Sequence, residues 1–140
     1  MSVSSLVCAL LVAAVACGGS NSVAPSGTSL GGTWTLRSLD HSTLPYRLPQ
    51  SPNSFPTTVL GAILTFSGDT TGSYTDVIAA RVVTPTRTID TSLTYSGTWV
   101  LSGKSITFDD KIFGGEYQGS MIGNVIMKPV LFGYSGEYSR

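Results

Sequence analysis

The chain has 140 residues, with eight basic and eight acidic side chains, and only 11% of its residues are charged, against about 25% in a typical soluble domain. That length suits one domain, and so sparse and balanced a charge offers no basic patch for nucleic acid. Its two cysteines, Cys8 and Cys17, precede the body of the chain, and His41 is its one histidine. The body therefore has no disulfide, no cysteine nucleophile and no convergent set of zinc ligands, and no metal or other cofactor is expected.

The N-terminal apolar run, Leu6 to Ala16, reads LVCALLVAAVA. It is shorter than the ~20 residues that span a bilayer and fits the core of a signal peptide, assigned here to residues 1–16. The run ends in Ala14-Val15-Ala16-Cys17, which resembles the bacterial lipobox. That resemblance implies cleavage before Cys17, lipidation of its thiol, and a membrane-anchored lipoprotein of the cell envelope, on the periplasmic or the outer surface. The other reading is an ordinary secretory signal with Cys17 incidental. Residues 17–31, rich in Gly and Ser, read as a flexible linker. The G-x-S-x-G pattern at Gly27–Gly31 lacks the strand before it and the helix after it that a nucleophile elbow requires, so it reads as linker composition.

The body, residues 32–140, alternates apolar and polar residues. GTWTLRSL (Gly32–Leu39) predicts a first strand with Trp34 and Leu36 on one face. Asp40-His41-Ser42 predicts a turn. The segment after it, with Pro45, Pro49, Pro52 and Pro56, predicts a stiff loop with a short extended piece at Leu44–Tyr46. It is read as a loop that closes one end of the core, or as a binding lid. Val59–Phe66 predicts the next strand, with Leu60, Ala62, Leu64 and Phe66 on one face.

Ser73–Val83 follows, with Tyr74, Asp76, Ile78, Ala80 and Val82 in register. Asp76 could line a pocket; a place at the rim, or an outward turn at a bulge, is the favoured reading. Leu93–Phe108 reads as a hairpin: Leu93, Tyr95, Gly97, Trp99 and Leu101 recur every second residue, and Ile106 and Phe108 resume the face after the turn. Asp109 and Asp110 read as solvated turn residues. Tyr117, Gly119 and Met121 share a face, and Gly123-Asn124 is a hairpin signal. Val125–Lys128 is apolar on both faces, so its register stays open. Lys128-Pro129 reads as an aggregation gatekeeper on an edge or bend, and Gly133–Gly136 as a bulge.

About eight short strands with neighbour-to-neighbour turns predict an all-β fold, a single small antiparallel up-and-down β-barrel. Several short motifs resemble those of bacterial lipocalin-like, or calycin, barrels. They are Gly32-Thr33-Trp34 at the start, Leu64-Thr65-Phe66 with Tyr74, Ser96-Gly97-Thr98-Trp99 with Ile106-Thr107-Phe108, Tyr117-Gln118-Gly119-Ser120 with Gly123-Asn124, and the closing Tyr138-Ser139-Arg140. The resemblance covers the body and implies an eight-stranded barrel on a lipid tether. It implies no single activity.

No catalytic constellation survives inspection. Ser102-Gly103-Lys104-Ser105 lacks the upstream glycine and the helix of a phosphate loop, and Asp40-His41 lacks a placed nucleophile. The chain is therefore read as a non-enzyme. Its inward aromatics either fill the barrel or line a cavity. In the second case Trp34, Tyr46, Tyr74, Asp76, Tyr95, Trp99 and Tyr117 are the candidate ligand-binding residues, and a small apolar or amphipathic molecule is the expected ligand. The expected partners are a membrane, through the lipid, and that ligand, for a monomeric chain. The alternative is a protein-binding envelope module, such as a hydrolase inhibitor, or a structural barrel with a filled core.

Overall fold

The computed structural model describes residues 29–110, 112, 114–130 and 133–140. Cys17, the signal-peptide assignment and most of the linker lie outside the described residues. Strand β1 (Gly32–Leu39) sets the pattern for the rest. Trp34 and Leu36 are buried, while Thr33, Thr35 and Arg37 face water. A register shift between Leu36 and Ser38, against the last strand, changes the parity and turns Leu39 inward as well.

Two short strands follow, β2 (Ser42–Thr43) and β3 (Tyr46–Arg47). Asp40 and His41 form the turn between β1 and β2, both with positive φ (51° and 61°), a conformation that Asp and His enter more readily than most residues. The proline-rich segment then packs against the barrel. Leu48 is buried, and its N–H donates to the Thr57 carbonyl at 2.9 Å.

The remaining strands are β4 (Thr57–Phe66), β5 (Thr71–Val83), β6 (Thr88–Ser102), β7 (Ser105–Asp110), β8 (Gly115–Ile122), β9 (Val125–Pro129) and β10 (Ser135–Ser139). Each pairs antiparallel with its chain neighbour from β4 to β10. Strand β1 pairs with β10 on one side and β4 on the other, which closes an eight-stranded barrel of β1 and β4–β10. Closure removes the sheet edges along the paired length. The all-β, up-and-down barrel read from the sequence is the fold observed, with β2 and β3 as additions.

Several local expectations are overturned. In β4 a register shift between Val59 and Gly61 buries Val59 in place of the expected Leu60. Gly136 pairs regularly with Lys128, so the irregularity lies in β1 rather than at Gly133–Gly136. Lys128 is not a gatekeeper on an edge: it shares the inward face of β9 with Ile126 and is 3% exposed. Asp110 is not a solvated turn residue, because it continues the inward alternation of Ile106 and Phe108.

The barrel has two unlike ends. At one end lie the turns after β4, β6 and β8, together with the start of β1 and the end of β10. Leu30, Trp34, Phe66 and Trp99 plug this end. The Trp34 indole N–H donates to the Leu30 carbonyl (2.9 Å), and that of Trp99 to the carbonyls of Ser73 (3.1 Å) and Ser67 (3.2 Å). The Arg140 guanidinium lies 4.4 Å from the Trp34 ring centroid and donates to the carbonyls of Ser29 and Gly31. Buried indoles thus keep their polar handles satisfied.

Midway up the barrel the backbones of β6 and β7 approach closely at Gly97. A Cβ there would collide with the Asp109 carbonyl oxygen and meet Tyr74 Cε1 at 3.0 Å, whereas nothing lies within 4 Å of one built on Gly61. Gly97→Ala should therefore destabilise the fold by about 1–3 kcal/mol. Gly61→Ala should leave stability within about 1 kcal/mol of the parent chain. Denaturant titration of both variants checks the contrast.

Candidate functional site

The interior changes character above the aromatic plug. Strand β5 directs Tyr74 and Asp76 inward, β7 directs Phe108 and Asp110, β9 directs Lys128, and β10 directs Tyr138. Asp76 is fully buried, which overturns the favoured placement at the rim or outside. No bulge interrupts the pairing of β5 with β6, so its alternation carries Asp76 to the core face with Tyr74 and Ile78.

A carboxylate buried this way requires partners. Lys128 Nζ donates to Asp76 Oδ2 at 2.7 Å, and Tyr138 Oη donates to the same carboxylate at 3.0 and 3.2 Å. Lys128 also donates to the Pro129 carbonyl at 3.2 Å, and its ammonium sits 5.4 Å from the Tyr117 ring and 5.7 Å from the Phe108 ring. Carboxylate, carbonyl and ring faces together replace the water that the ammonium loses.

A second polar group joins the first through aromatic rings. Tyr74 Oη donates to Asp110 Oδ2 at 3.1 Å and lies 2.9 Å from Tyr117 Oη. With the one Tyr74 proton directed at Asp110, Tyr117 is the donor to Tyr74. The Ile112 N–H donates to the other Asp110 oxygen at 2.7 Å. Phe108 stacks on Tyr117 (5.0 Å, 11°) and meets Tyr74 edge-on (5.1 Å, 82°). Burial is the first cause that raises the Tyr74, Tyr138, Tyr117 and Tyr95 hydroxyls above their ordinary value. Tyr117 and the carboxylate of Asp110 raise Tyr74 further, and the Asp76 carboxylate raises Tyr138 further. These hydroxyls remain protonated donors at neutral pH.

This cluster forms the floor of a pocket of about 200 Å³, lined by Ile78, Tyr95, Asp110, Tyr117, Lys128, Pro129, Val130 and Gly133. The pocket exists because neighbouring strands part here. Strands β8 and β9 are paired only from Ser120–Ile122 to Val125–Met127, so Tyr117 and Lys128 lie beyond the end of that ladder. The wall is mostly apolar, with a phenol, a carboxylate and an ammonium at its base. Such a surface can receive a small molecule with one apolar side and one hydrogen-bonding side.

The predicted residues divide among three places. Tyr95 and Tyr117 are on the pocket wall, Tyr74 lies behind Tyr117, and Asp76 lies behind Lys128. Trp34 and Trp99 belong to the closed end. Tyr46 meets Tyr134 edge-on (5.9 Å), and Tyr134 lines a second pocket of about 190 Å³ under the proline-rich segment, with Leu48, Pro49 and Phe55. Sequence reasoning missed Lys128, Asp110 and Tyr138. For Asp110 the signal was present in the alternation Ile106, Phe108, Asp110. Among the described residues no group of His, Cys, Asp or Glu could hold a metal ion, and no helix is long and apolar enough to cross a membrane. Comparison of the chain with protein-family models, curated proteins and solved structures finds no match.

Two measurements check the cluster. Lys128→Met leaves Asp76 buried without its cation and should cost about 3–5 kcal/mol in denaturant unfolding. Asp76→Leu combined with Lys128→Met should recover most of that loss, because an apolar pair replaces a pair of buried charges. The tyrosines predict the alkaline limb of stability. A raised hydroxyl holds its proton in the folded state after the unfolded chain, with its ordinary value of 10.0, has released it. The contribution is complete below that pH and is lost as pH rises above it. For each of Tyr74 and Tyr138 the unfolding free energy should fall by about 1.4 kcal/mol per pH unit, and Tyr74→Phe should remove one such increment from the slope.

Proposed function

We propose that the barrel holds a small amphipathic molecule in the pocket above the Asp76–Lys128–Tyr138 cluster. One observation carries this reading: an apolar pocket whose base presents a phenol, a carboxylate and an ammonium at the unplugged end of an otherwise packed barrel. Its volume, about 200 Å³, limits the occupant. A cavity of about 150 Å³ takes a benzene, so a molecule on the order of ten non-hydrogen atoms fits, smaller than a typical drug-sized ligand. Its apolar body would lie against Ile78, Pro129 and Val130, and its polar atoms would meet Tyr117, Tyr95, Asp110 and Lys128. The lipocalin-like motifs of the sequence agree with a closed eight-stranded barrel of this kind.

We read the chain further as a lipid-anchored protein of the bacterial envelope. The apolar run before Cys17 and the small residues beside it support that reading. At the plugged end the Leu30 N–H donates to the Asp69 carbonyl (3.1 Å).

Native mass spectrometry of the full chain from its own host tests the ligand. The expected result is an added mass of roughly 100–200 Da, lost on collisional activation and absent from Val130→Trp, which fills the pocket. A protein mass with no such dissociable addition contradicts the proposal. Membrane fractionation tests the anchor: Cys17→Ser should move the protein from the detergent-extracted membrane fraction to the soluble one, since acyl chains supply the attachment.

A further inference from the structure

The barrel is closed along only part of its height. Strand β6 pairs with β5 over Thr88–Val100 but with β7 only over Gly97–Ser102. Among the described residues, no strand pairs with Thr88–Ser96 on the β7 side. The direction of the backbone groups follows from the ladder. Leu101 N–H donates to the Thr70 carbonyl, and the Trp99 carbonyl accepts from the Thr71 hydroxyl on the same side. Odd residues of β6 therefore face β5. The register with β5 runs without a shift, so Thr88, Asp90, Ser92 and Thr94 turn their N–H and C=O groups to the open side.

Open edges of this length are usually blunted by lysine, proline or a bulge. This one carries a single charge, Asp90, already clamped by Arg81 through two hydrogen bonds (2.6 and 2.8 Å). Its inward-facing residues include Leu93, 39% exposed, and the half-buried Ile89. Both are apolar side chains left without full cover at the rim.

We infer that two copies of this chain associate through these edges, as antiparallel β6 strands across a two-fold axis at Thr91. The sequence of the edge is self-complementary in that register. Ile89 faces Leu93 of the second copy, and Leu93 faces its Ile89, so the exposed apolar pair is covered twice. Thr91 faces Thr91, a favourable cross-strand pair. Asp90 faces Ser92, whose hydroxyl is a donor, and no charge opposes a like charge. An axis one residue earlier would set Asp90 against Asp90, which the same rule disfavours. The edge groups of Thr88 and Asp90 pair with those of Thr94 and Ser92 in the second copy, and the reverse, so every backbone group turned outward between Thr88 and Thr94 gains a partner. A two-fold axis uses one patch twice, which is the commonest way soluble chains assemble. An extended peptide of another protein could use the same edge. The reciprocal fit of Ile89 with Leu93, without opposed charges, favours the second copy.

The test is the mass of the full chain in mild detergent, by light scattering coupled to size exclusion over a wide concentration range. Two variants accompany it. Ser92→Pro removes an N–H that no strand pairs among the described residues of the single chain. Thr91→Lys places two ammonium groups opposite each other at the axis, on a residue exposed in the single chain. The expected result is a two-chain mass for the parent and a one-chain mass for both variants, with unchanged circular dichroism. A one-chain mass for the parent at all concentrations overturns the inference, and so does a two-chain mass that survives Thr91→Lys. Capture of an extended peptide by a one-chain parent would assign the edge to a foreign partner and equally overturn it.

Discussion

The interior of this barrel is organised around one ion pair, Lys128 with Asp76, at 2.7 Å and almost without solvent. Burying either charge alone would cost several kcal/mol, so each requires the other. The consequence is geometric more than energetic. A slip of β9 by one residue would send Lys128 outward, carry Met127 or Pro129 inward, and leave Asp76 buried with only a phenol. Strand β9 is short, and its residues Val125–Met127 are apolar on both faces. Hydrophobicity cannot choose its register, and the charge pair can. Tyr138, from β10, donates to the same carboxylate. The last two strands are thereby fixed to β5, across the barrel interior.

That pair also divides the barrel into two regions. Below it, indoles and phenylalanines close the end where the chain enters and leaves. Trp34, Phe66 and Trp99 fill the space, and Phe66 meets the Trp99 ring edge-on at 4.8 Å. Above it, the strands separate at the short β8–β9 ladder and the tall β5–β6 pair rises past its neighbours. The pocket forms where the packed core stops and the strands have not yet ended. Its polar floor belongs to the same cluster: Lys128, which holds Asp76, lines it, and so do Asp110 and Tyr117, which meet through the Tyr74 hydroxyl behind them.

Much of this fold is legible in the sequence because a period of two is hard to mistake where one face is plainly apolar. Strand β1 follows directly from GTWTLRSL, and the β6–β7 hairpin from the alternation through Tyr95, Gly97 and Trp99 to Ile106 and Phe108. The turn at Gly123-Asn124 is equally direct. The candidate site is less legible. Alternation assigns a face only once parity is known, and the shifts at Leu36/Ser38 and Val59/Gly61 reset it without a marker in the sequence. Asp76, Asp110 and Lys128 were also misplaced by the ordinary rule that charge belongs outside. Each is unfavourable inside alone; only the closed barrel brings Lys128 to Asp76, and Tyr74 to Asp110, from 52 and 36 residues away in the chain. Partners so distant in sequence cannot be matched before the topology is known.

The measurement that bears most directly on this account is nitrogen-detected NMR of the Lys128 ammonium in the full chain. An ammonium held by Asp76, by the Pro129 carbonyl and against two aromatic rings should give a resolved signal whose protons exchange slowly with water, shifted upfield by the rings and lost in Asp76→Asn. A Lys128 ammonium that exchanges as fast as that of the exposed Lys104, and does not respond to Asp76→Asn, would contradict it.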